Sequence, residues 1–192
     1  MKKIISFMHI SLDGFVAGPG GAMNWIKVDE EIFDHIGKRI GASDTALYGR
    51  VTYEMMENYW PTAGTAPNAS KHDIEHSKWY KQAHKVVLSK TMKDSDLANT
   101  TIISEQLADR INDIKRSSDS GSNEILLFGS PTATHALIQA GLIDGYWLFV
   151  NPIILGQGIP LFTGIKDKIK LKLLSTRQFT SGVAELNYIA DR

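Results

Sequence analysis

The chain has 192 residues, of which 43% are hydrophobic and 22% charged, which is the composition of a globular protein of one domain. Its 21 basic and 21 acidic side chains cancel, so there is no overall attraction to nucleic acid or to an anionic membrane. The chain contains no cysteine, which excludes disulfides, thiolate catalysis, zinc fingers and iron–sulfur clusters.

The first apolar run is interrupted by His9 and is followed by Asp13 without a convincing cleavage site. It therefore predicts a first strand, with His9 as a satisfied core imidazole, and not a signal peptide. No stretch approaches the length of a transmembrane helix. These observations predict a cytoplasmic protein.

Short apolar runs alternate with segments of helical periodicity along the chain. The predicted strands, in chain order, are 4–10, 45–48, 85–88, 100–104, 124–128, 145–150, 169–174 and 183–189. The predicted helices are 29–40, 51–59, 72–84 and 105–115, with a last one from 131 to near Gly141. Gly41 is expected to end the first helix, and Ser130 is expected to cap the last one in front of Pro131.

Strands separated by helices indicate βαβ units and an α/β fold with a mostly parallel sheet, in a single domain over 1–192. Thr180-Ser181-Gly182 lies between the last two predicted strands and indicates a C-terminal antiparallel hairpin. Lysines alternate strictly with Ile169, Leu171 and Leu173, which predicts a strand with one face in water. The predicted loops are 11–21, 61–70, 117–123 and 151–163.

Ligands of open α/β sheets bind outside the carboxyl ends of the strands, so the residues after each strand form the candidate site. At the first such junction Gly49 and Arg50 stand between a strand and a helix. The helix N-terminus and the planar guanidinium of Arg50 suit a phosphate. An arginine on an exposed turn explains this junction equally well.

Two further junctions have the same character. Residues 88–91, Leu-Ser-Lys-Thr, place two hydroxyls and a cation after a strand, although these are also ordinary loop residues. Residues 128–132, Phe-Gly-Ser-Pro-Thr, form another anion cradle or simply a well-capped helix. Three such junctions in one small sheet together suggest a dinucleotide or another ligand with several phosphates.

The usual nucleotide fingerprints are absent. Residues 156–161 begin like the glycine motif of dinucleotide-binding folds, but the third glycine is missing and Pro160 prevents a helix. The chain also has no Walker A sequence.

Residues 72–76 match the H-x-x-E-H pattern of inverted zinc peptidases. A catalytic zinc site there requires a third protein ligand. The segment is polar all round, which favours the alternative of a solvated helix surface.

Five segments spread over almost the whole chain resemble the dihydrofolate reductase-like superfamily. They are 11–17 (Ser-Leu-Asp-Gly-Phe-Val-Ala), 49–54 (Gly-Arg-Val-Thr-Tyr-Glu), 87–91, 127–130 and 152–162 (Pro-Ile-Ile-Leu-Gly-Gln-Gly-Ile-Pro-Leu-Phe). Their order and spacing look like the reductase domain that is C-terminal in bifunctional riboflavin-biosynthesis deaminase–reductases, and like its stand-alone relatives. The resemblance implies a three-layer α/β/α fold, an NADPH site and a homodimer. No metal is expected, because the H-x-x-E-H segment lacks a third ligand.

The resemblance also implies which residues hold NADPH. The loop after the first strand follows the nicotinamide half, Arg50 pairs with the 2′-phosphate, the Ser-Lys-Thr turn flanks the adenosine, and the glycine turn supports the pyrophosphate. The implied cofactor-binding residues are Ala17, Gly18, Gly49, Arg50, Val51, Thr52, Leu88, Ser89, Lys90, Thr91, Gly129, Ser130, Pro131 and Thr132. The family often has a second glycine where this chain has Ser130.

On the substrate side the candidates are Trp25, Tyr53 and Gly156, with core packing as the alternative for the two aromatic rings. Dihydrofolate reductases carry an acid a few residues after a tryptophan, and Glu30 follows Trp25 by five positions. Asp13 is the other candidate acid, or else a cap of its own loop.

The expected function is an NADPH-dependent reductase that transfers hydride to a C=N or C=O bond of a small pterin-, aminopyrimidine- or sugar-like substrate. The alternative is a non-catalytic NADP(H)-binding or regulatory protein on the same fold.

Overall fold

The computed structural model describes residues 1–93, 97–117 and 122–191, so positions 118–121 of the predicted loop lie outside it. The strands are β1 (Lys3–Ser11), β2 (Phe15–Ala17), β3 (Thr45–Gly49), β4 (His84–Leu88), β5 (Thr100–Ile103), β6 (Glu124–Phe128), β7 (Gly145–Asn151), β8 (Ile159–Pro160), β9 (Leu171–Gln178) and β10 (Ala184–Ala190). The α-helices are α1 (Glu30–Ala42), α2 (Arg50–Ala63), α3 (Lys71–Gln82), α4 (Leu107–Arg116) and α5 (Pro131–Gln139).

Eight strands form one sheet in the order β5-β4-β3-β6-β1-β7-β10-β9. The first six are parallel, and β10 and β9 follow as an antiparallel hairpin. The mostly parallel sheet with a C-terminal hairpin is therefore confirmed. Strands β2 and β8, both within predicted loops, pair in a small second sheet that joins the segment after β1 to the segment after β7.

Helices cover the large sheet on both faces, which confirms the three-layer prediction. On one face the core combines side chains of α1, α2 and α3 with the sheet, namely Ile32, Ile36, Ile40, Tyr53, Tyr80, Trp147 and Phe149. On the other face the core combines α4 and α5 with the sheet, namely Ile111, Ala133, Leu137, Leu127 and Leu148. Within the described residues no helix is long and apolar enough to cross a membrane.

A stripe of polar side chains fixes α1 on the sheet. Its members stand four residues apart on the helix and therefore share one face. The pairs, with 2.8 Å as the shortest distance in each, are Glu31 with Thr180, His35 with Glu185, and Arg39 with Glu124. Because Thr180 precedes β10 and Glu124 begins β6, the N-terminus of α1 lies at the carboxyl edge of the parallel strands.

Helix α2 continues to Ala63, through Pro61 and beyond the predicted end at residue 59. A proline removes one backbone donor near the helix end, but tertiary contacts support this last turn. The hydroxyl of Ser77 on α3 donates to the Trp60 carbonyl at 2.7 Å, and the Trp60 ring lies 3.9 Å from the His76 ring. Packing between the two helices thus outweighs the local signal of the proline.

Two other boundaries differ from the prediction. His84 is the first residue of β4, opposite Thr45, so the predicted helix 72–84 ends two residues early. Gly41 lies inside α1, and the helix ends at Ser43 with extended backbone. The prediction that Gly41 ends this helix is therefore wrong.

Strand β9 begins later and extends further than the predicted 169–174, and all eight of its residues are exposed. The prediction that only one face is in water is wrong for the described chain. Strand β9 is the edge of the sheet, and the apolar side chains Leu171 and Leu173 are 38% and 48% exposed. The hairpin thus leaves an apolar edge in solvent.

We expect opposite effects from alanine at two glycines. A β-carbon on Gly145 would lie 2.6 Å from the Tyr188 carbonyl oxygen and 2.9 Å from Ile5 Cδ1, whereas one on Gly41 would meet no atom within 4 Å. Gly145→Ala should destabilise the protein by about 1–3 kcal/mol. Gly41→Ala should stabilise it by about 0.5 kcal/mol, because alanine favours a helix. Urea denaturation measures both, and destabilisation by Gly41→Ala would contradict the interior helical position.

Candidate functional site

A cavity of about 600 Å³ opens at the carboxyl edge of the sheet. The three junctions singled out by the sequence meet there, because β4, β3 and β6 are neighbours in the sheet. The lining comprises Gly49, Arg50, Val51, Thr52, Leu88, Ser89, Lys90, Thr91, Ile103, Ser104, Leu107, Ser130, Pro131, Thr132, Ala133, Ala136 and Ile159. Most of the candidate cofactor residues are thus brought together, and Ala17, Gly18 and Gly129 lie outside this set.

Three helices begin at the cavity without a side-chain cap. These are α2, α4 and α5, whose first residues Arg50, Leu107 and Pro131 line the cavity. The remaining two helices are capped by their own residues, α1 by Asp29 and α3 by Ser70. Uncapped helix N-termini present unpaired amide groups and the positive end of the helix dipole. Their convergence suits a ligand that carries several negative charges.

The charged lining residues are both cationic, Arg50 and Lys90, and both are exposed. Arg50 Nη1 donates to the two carboxylate oxygens of Glu54 at 2.8 and 2.9 Å. Both bonds use one nitrogen and the arginine side chain is 43% exposed, so the remaining donors of the guanidinium are open to an anion.

The turn after β4 is built by a hydroxyl. Ser89 Oγ accepts hydrogen bonds from the backbone amides of Thr91 at 3.2 Å and Met92 at 2.9 Å. The hydroxyl of Ser89 therefore shapes the turn, while the exposed Lys90 and Thr91 are its residues open to solvent.

The turn after β6 departs from the predicted helix cap. Gly129 and Ser130 both have left-handed backbone, with φ of 51° and 55°. Ser130 occupies the predicted N-cap position in front of Pro131, but its hydroxyl makes no capping hydrogen bond to its own helix, so the prediction is wrong in that bond. Instead Ser130 Oγ accepts the Gly49 backbone N–H at 2.7 Å.

The candidates for the nicotinamide side lie beside the cavity. Ala17 pairs with the lining residue Ile159, and both Ala17 and Gly18 are buried. Trp25 is partly exposed, and its indole N–H donates to the Ala22 carbonyl at 2.9 Å. Tyr53 is 3% exposed and packs in the core, which agrees with the core-packing alternative. Its role in substrate binding stays a prediction.

Both carboxylate oxygens of Asp13 accept hydrogen bonds. Oδ1 accepts from the Ser11 hydroxyl at 2.6 Å and the Leu155 amide at 3.1 Å, and Oδ2 accepts from the Gly156 amide at 2.8 Å. The Ser11 hydrogen bond is the largest cause that lowers the Asp13 pKa to about 2. These hydrogen bonds favour the ionised form of Asp13. Asp13 therefore ties two loops together, and its candidate role as catalytic acid stays a prediction.

Glu30, the other candidate acid, is exposed in the first turn of α1 and lies outside the cavity lining. Gly156, the remaining substrate candidate, has φ of +75° and uses its amide on Asp13. The catalytic role of Glu30 stays a prediction.

The two histidines of the zinc-like motif belong to an aromatic cluster. The His72 ring stacks on Phe33 at 4.0 Å, and His76 lies between Trp60 and Trp79. His76 is 8% exposed, so the predicted solvated surface is wrong at this position, and its burial lowers the pKa of the imidazole to about 3. Across 1–93, 97–117 and 122–191, no three His, Asp or Glu side chains form a group able to hold a metal.

Six lining residues are not among the predicted site residues, namely Ile103, Ser104, Leu107, Ala133, Ala136 and Ile159. Only the two alanines carried a signal, because small residues three apart after a glycine turn leave room on one helix face. The others are ordinary apolar or loop residues that the fold brings to this edge.

We expect Asp13→Asn to lower the melting temperature at pH 7. The Asp13 pKa is 3.8 without its partners and about 2 in the folded protein, so ionised Asp13 stabilises the fold above pH 3.8. That contribution is lost as the pH falls from 3.8 towards 2. The melting temperatures of wild type and Asp13→Asn should therefore converge in acid, whereas Asp167→Asn should match wild type throughout. Equal melting temperatures at pH 7 would contradict the role of Asp13 as a tie.

Comparison with known proteins gives one consistent family. The profile of the RibD C-terminal domain matches residues 2–184. The chain is 31% identical to the protein YyaP of Bacillus subtilis (strain 168) over 190 residues, covering 97% of this chain and 94% of that protein.

Solved structures share the fold. A pyrimidine reductase-like protein from Corynebacterium diphtheriae matches with a TM-score of 0.69 at 17% identity, over 100% of this chain and 92% of the other. RibD of Acinetobacter baumannii matches with a TM-score of 0.70 at 18% identity, over 100% of this chain and 58% of that longer one. The protein therefore belongs to the RibD C-terminal domain family.

Proposed function

We propose that the protein is an NADPH-dependent reductase that transfers hydride to a C=N or C=O bond of a small pterin-, aminopyrimidine- or sugar-like substrate. One observation carries the proposal: three uncapped helix N-termini and two cations face one cavity, and the part of its lining that the structure describes includes no Asp or Glu. The cavity thereby offers donors and positive charge to a ligand with several phosphates.

The lining residues fit the phosphates of NADPH in type. Arg50 offers a planar donor set for the 2′-phosphate, and Lys90 adds a point charge at the neighbouring turn. The free amides of α5 and the Thr132 hydroxyl would hold the pyrophosphate. When bound, the cofactor supplies the hydride, and the protein positions it and excludes water.

The state of the two candidate proton donors supports the alternative, an NADP(H)-binding protein without catalysis. Asp13 is held as a carboxylate, and Glu30 lies outside the cavity lining. In the reductase, Glu30 or water delivers the proton that accompanies hydride. Tight NADPH binding without oxidation of NADPH in the presence of pterins, aminopyrimidines or carbonyl compounds would favour the non-catalytic alternative.

A cytoplasmic location stays a prediction from the sequence.

We expect wild type to bind NADPH more tightly than NADH in calorimetric titrations. Arg50→Ala should weaken NADPH binding about tenfold, because a charge-assisted hydrogen bond to phosphate is lost, and leave NADH within about twofold. Arg116→Ala is the matched control, since Arg116 on α4 is likewise paired to an acid on its own helix and lies outside the cavity. If wild type binds neither nucleotide, the reductase proposal fails.

We also propose a homodimer, formed through β9. An exposed edge strand offers unpaired backbone groups, and the edge strands of two copies can pair antiparallel about a two-fold axis. Leu171 and Leu173 supply an apolar contact. If the two β9 strands pair with Leu173 at the two-fold axis, the lysine-rich segments 166–172 of the two copies lie at opposite ends of the paired strands, away from each other.

We expect light scattering to give about twice 21.3 kDa for wild type. Leu173→Glu should give the monomer mass, because it puts a charge in the paired apolar face. Ile74→Glu, an exposed aliphatic position on α3 at 51% exposure, is the matched control and should remain dimeric. A monomeric wild type would refute the dimer and leave the reductase proposal standing.

A further inference from the structure

The serine after Gly129 interlocks the two principal junctions of the cavity. Ser130 follows β6, and its hydroxyl accepts the amide of Gly49, which ends β3, at 2.7 Å. A β-carbon on Gly49 would lie 3.2 Å from both Cβ and Oγ of Ser130. Only glycine leaves that space free without displacing the hydroxyl, so position 49 and position 130 constrain each other.

Ser130 keeps this contact in a conformation that L-residues rarely adopt. Its φ of 55° and ψ of 71° lie in the left-handed region, next to the left-handed Gly129. A glycine would satisfy this backbone more easily, so the hydroxyl has to contribute something that offsets the unfavourable backbone.

The hydroxyl has one unused donor. Ser130 Oγ accepts from Gly49, and no acceptor for its own proton occurs among the described residues. The residue is 6% exposed and lines the cavity at the uncapped start of α5. A buried hydroxyl with an unpaired proton is costly unless a ligand accepts it.

We propose that Ser130 relays the Gly49 amide to the pyrophosphate of the bound nucleotide. The amide donates to Ser130 Oγ, and the hydroxyl in turn donates to a phosphate oxygen. Hydrogen bonds in such a chain polarise one another, so the hydroxyl becomes a stronger donor. At the start of α5 the amides free to bind phosphate are those of Thr132 and Ala133. Pro131 has no N–H, and the Thr134 amide already donates to the Ser130 carbonyl. This inference rests on the proposed nucleotide site and assigns one group within it.

The relay predicts a division between two phosphate sites. Ser130 serves the pyrophosphate, whereas Arg50 serves the 2′-phosphate. The ligand NADP⁺ contains both groups, and 2′-AMP contains the 2′-phosphate without the pyrophosphate. A variant at either residue should therefore affect the two ligands differently.

The test is calorimetric or NMR titration of NADP⁺ and 2′-AMP into wild type, Ser130→Ala and Arg50→Ala. Ser130→Ala should weaken NADP⁺ binding about tenfold and change 2′-AMP binding less than about twofold. Arg50→Ala should weaken both ligands. Ser130→Gly keeps the left-handed backbone and uncovers the Gly49 amide, so its loss of NADP⁺ affinity should be smaller than that of Ser130→Ala. It also provides a folded variant if Ser130→Ala is unstable.

Three results would overturn the relay. The first is unchanged NADP⁺ affinity in Ser130→Ala. The second is an equal loss of affinity for NADP⁺ and 2′-AMP in Ser130→Ala, which would mean that the serine only supports the structure. The third is a larger loss of NADP⁺ affinity in Ser130→Gly than in Ser130→Ala. If wild type binds neither ligand, the nucleotide site itself fails and the relay fails with it. Binding of NADP⁺ by wild type therefore separates the two proposals.

Discussion

The hydrogen bond from the Gly49 amide to the Ser130 hydroxyl is the contact on which the candidate site depends. Parallel pairing of β3 with β6 places the ends of these strands side by side, although 81 residues separate the two bonded groups. The bond joins the start of α2 to the start of α5, so two helix dipoles point into one cavity.

The polar stripe on α1 has a complementary task on one face of the sheet, where it fixes a helix in place. Pairs from Glu31 to Thr180 and from Arg39 to Glu124 hold this helix over the strands and anchor the start of β10. Helix α1 covers one face of the hairpin region, and β9 remains exposed beyond it. The polar side chains of the α1 stripe are thus paired within the protein, whereas the apolar side chains of edge strand β9 lie in solvent.

Residue types that suggest chemistry turned out to have architectural roles where they are fully hydrogen-bonded or buried. Asp13 looked like a candidate acid, but hydroxyl and amide donors on both oxygens stabilise its charge and lower its pKa. His76 matches the spacing of a zinc motif, but it is packed among tryptophans. Spacing along the chain does not reveal such partners, because Gly156 lies 143 residues from Asp13.

The sequence by itself determined the chain order of the five α-helices and of the eight strands of the large sheet, the mostly parallel pairing, and the glycine-containing junctions at Gly49 and Gly129, because periodicity and turn chemistry are local. Tertiary structure decided the last turn of α2, through Ser77 and Trp60, and the burial of Tyr53. It also decided that Ser130 faces Gly49 and does not cap its own helix. These outcomes depend on which side chains the sheet brings together across long stretches of chain, and no local pattern encodes that proximity.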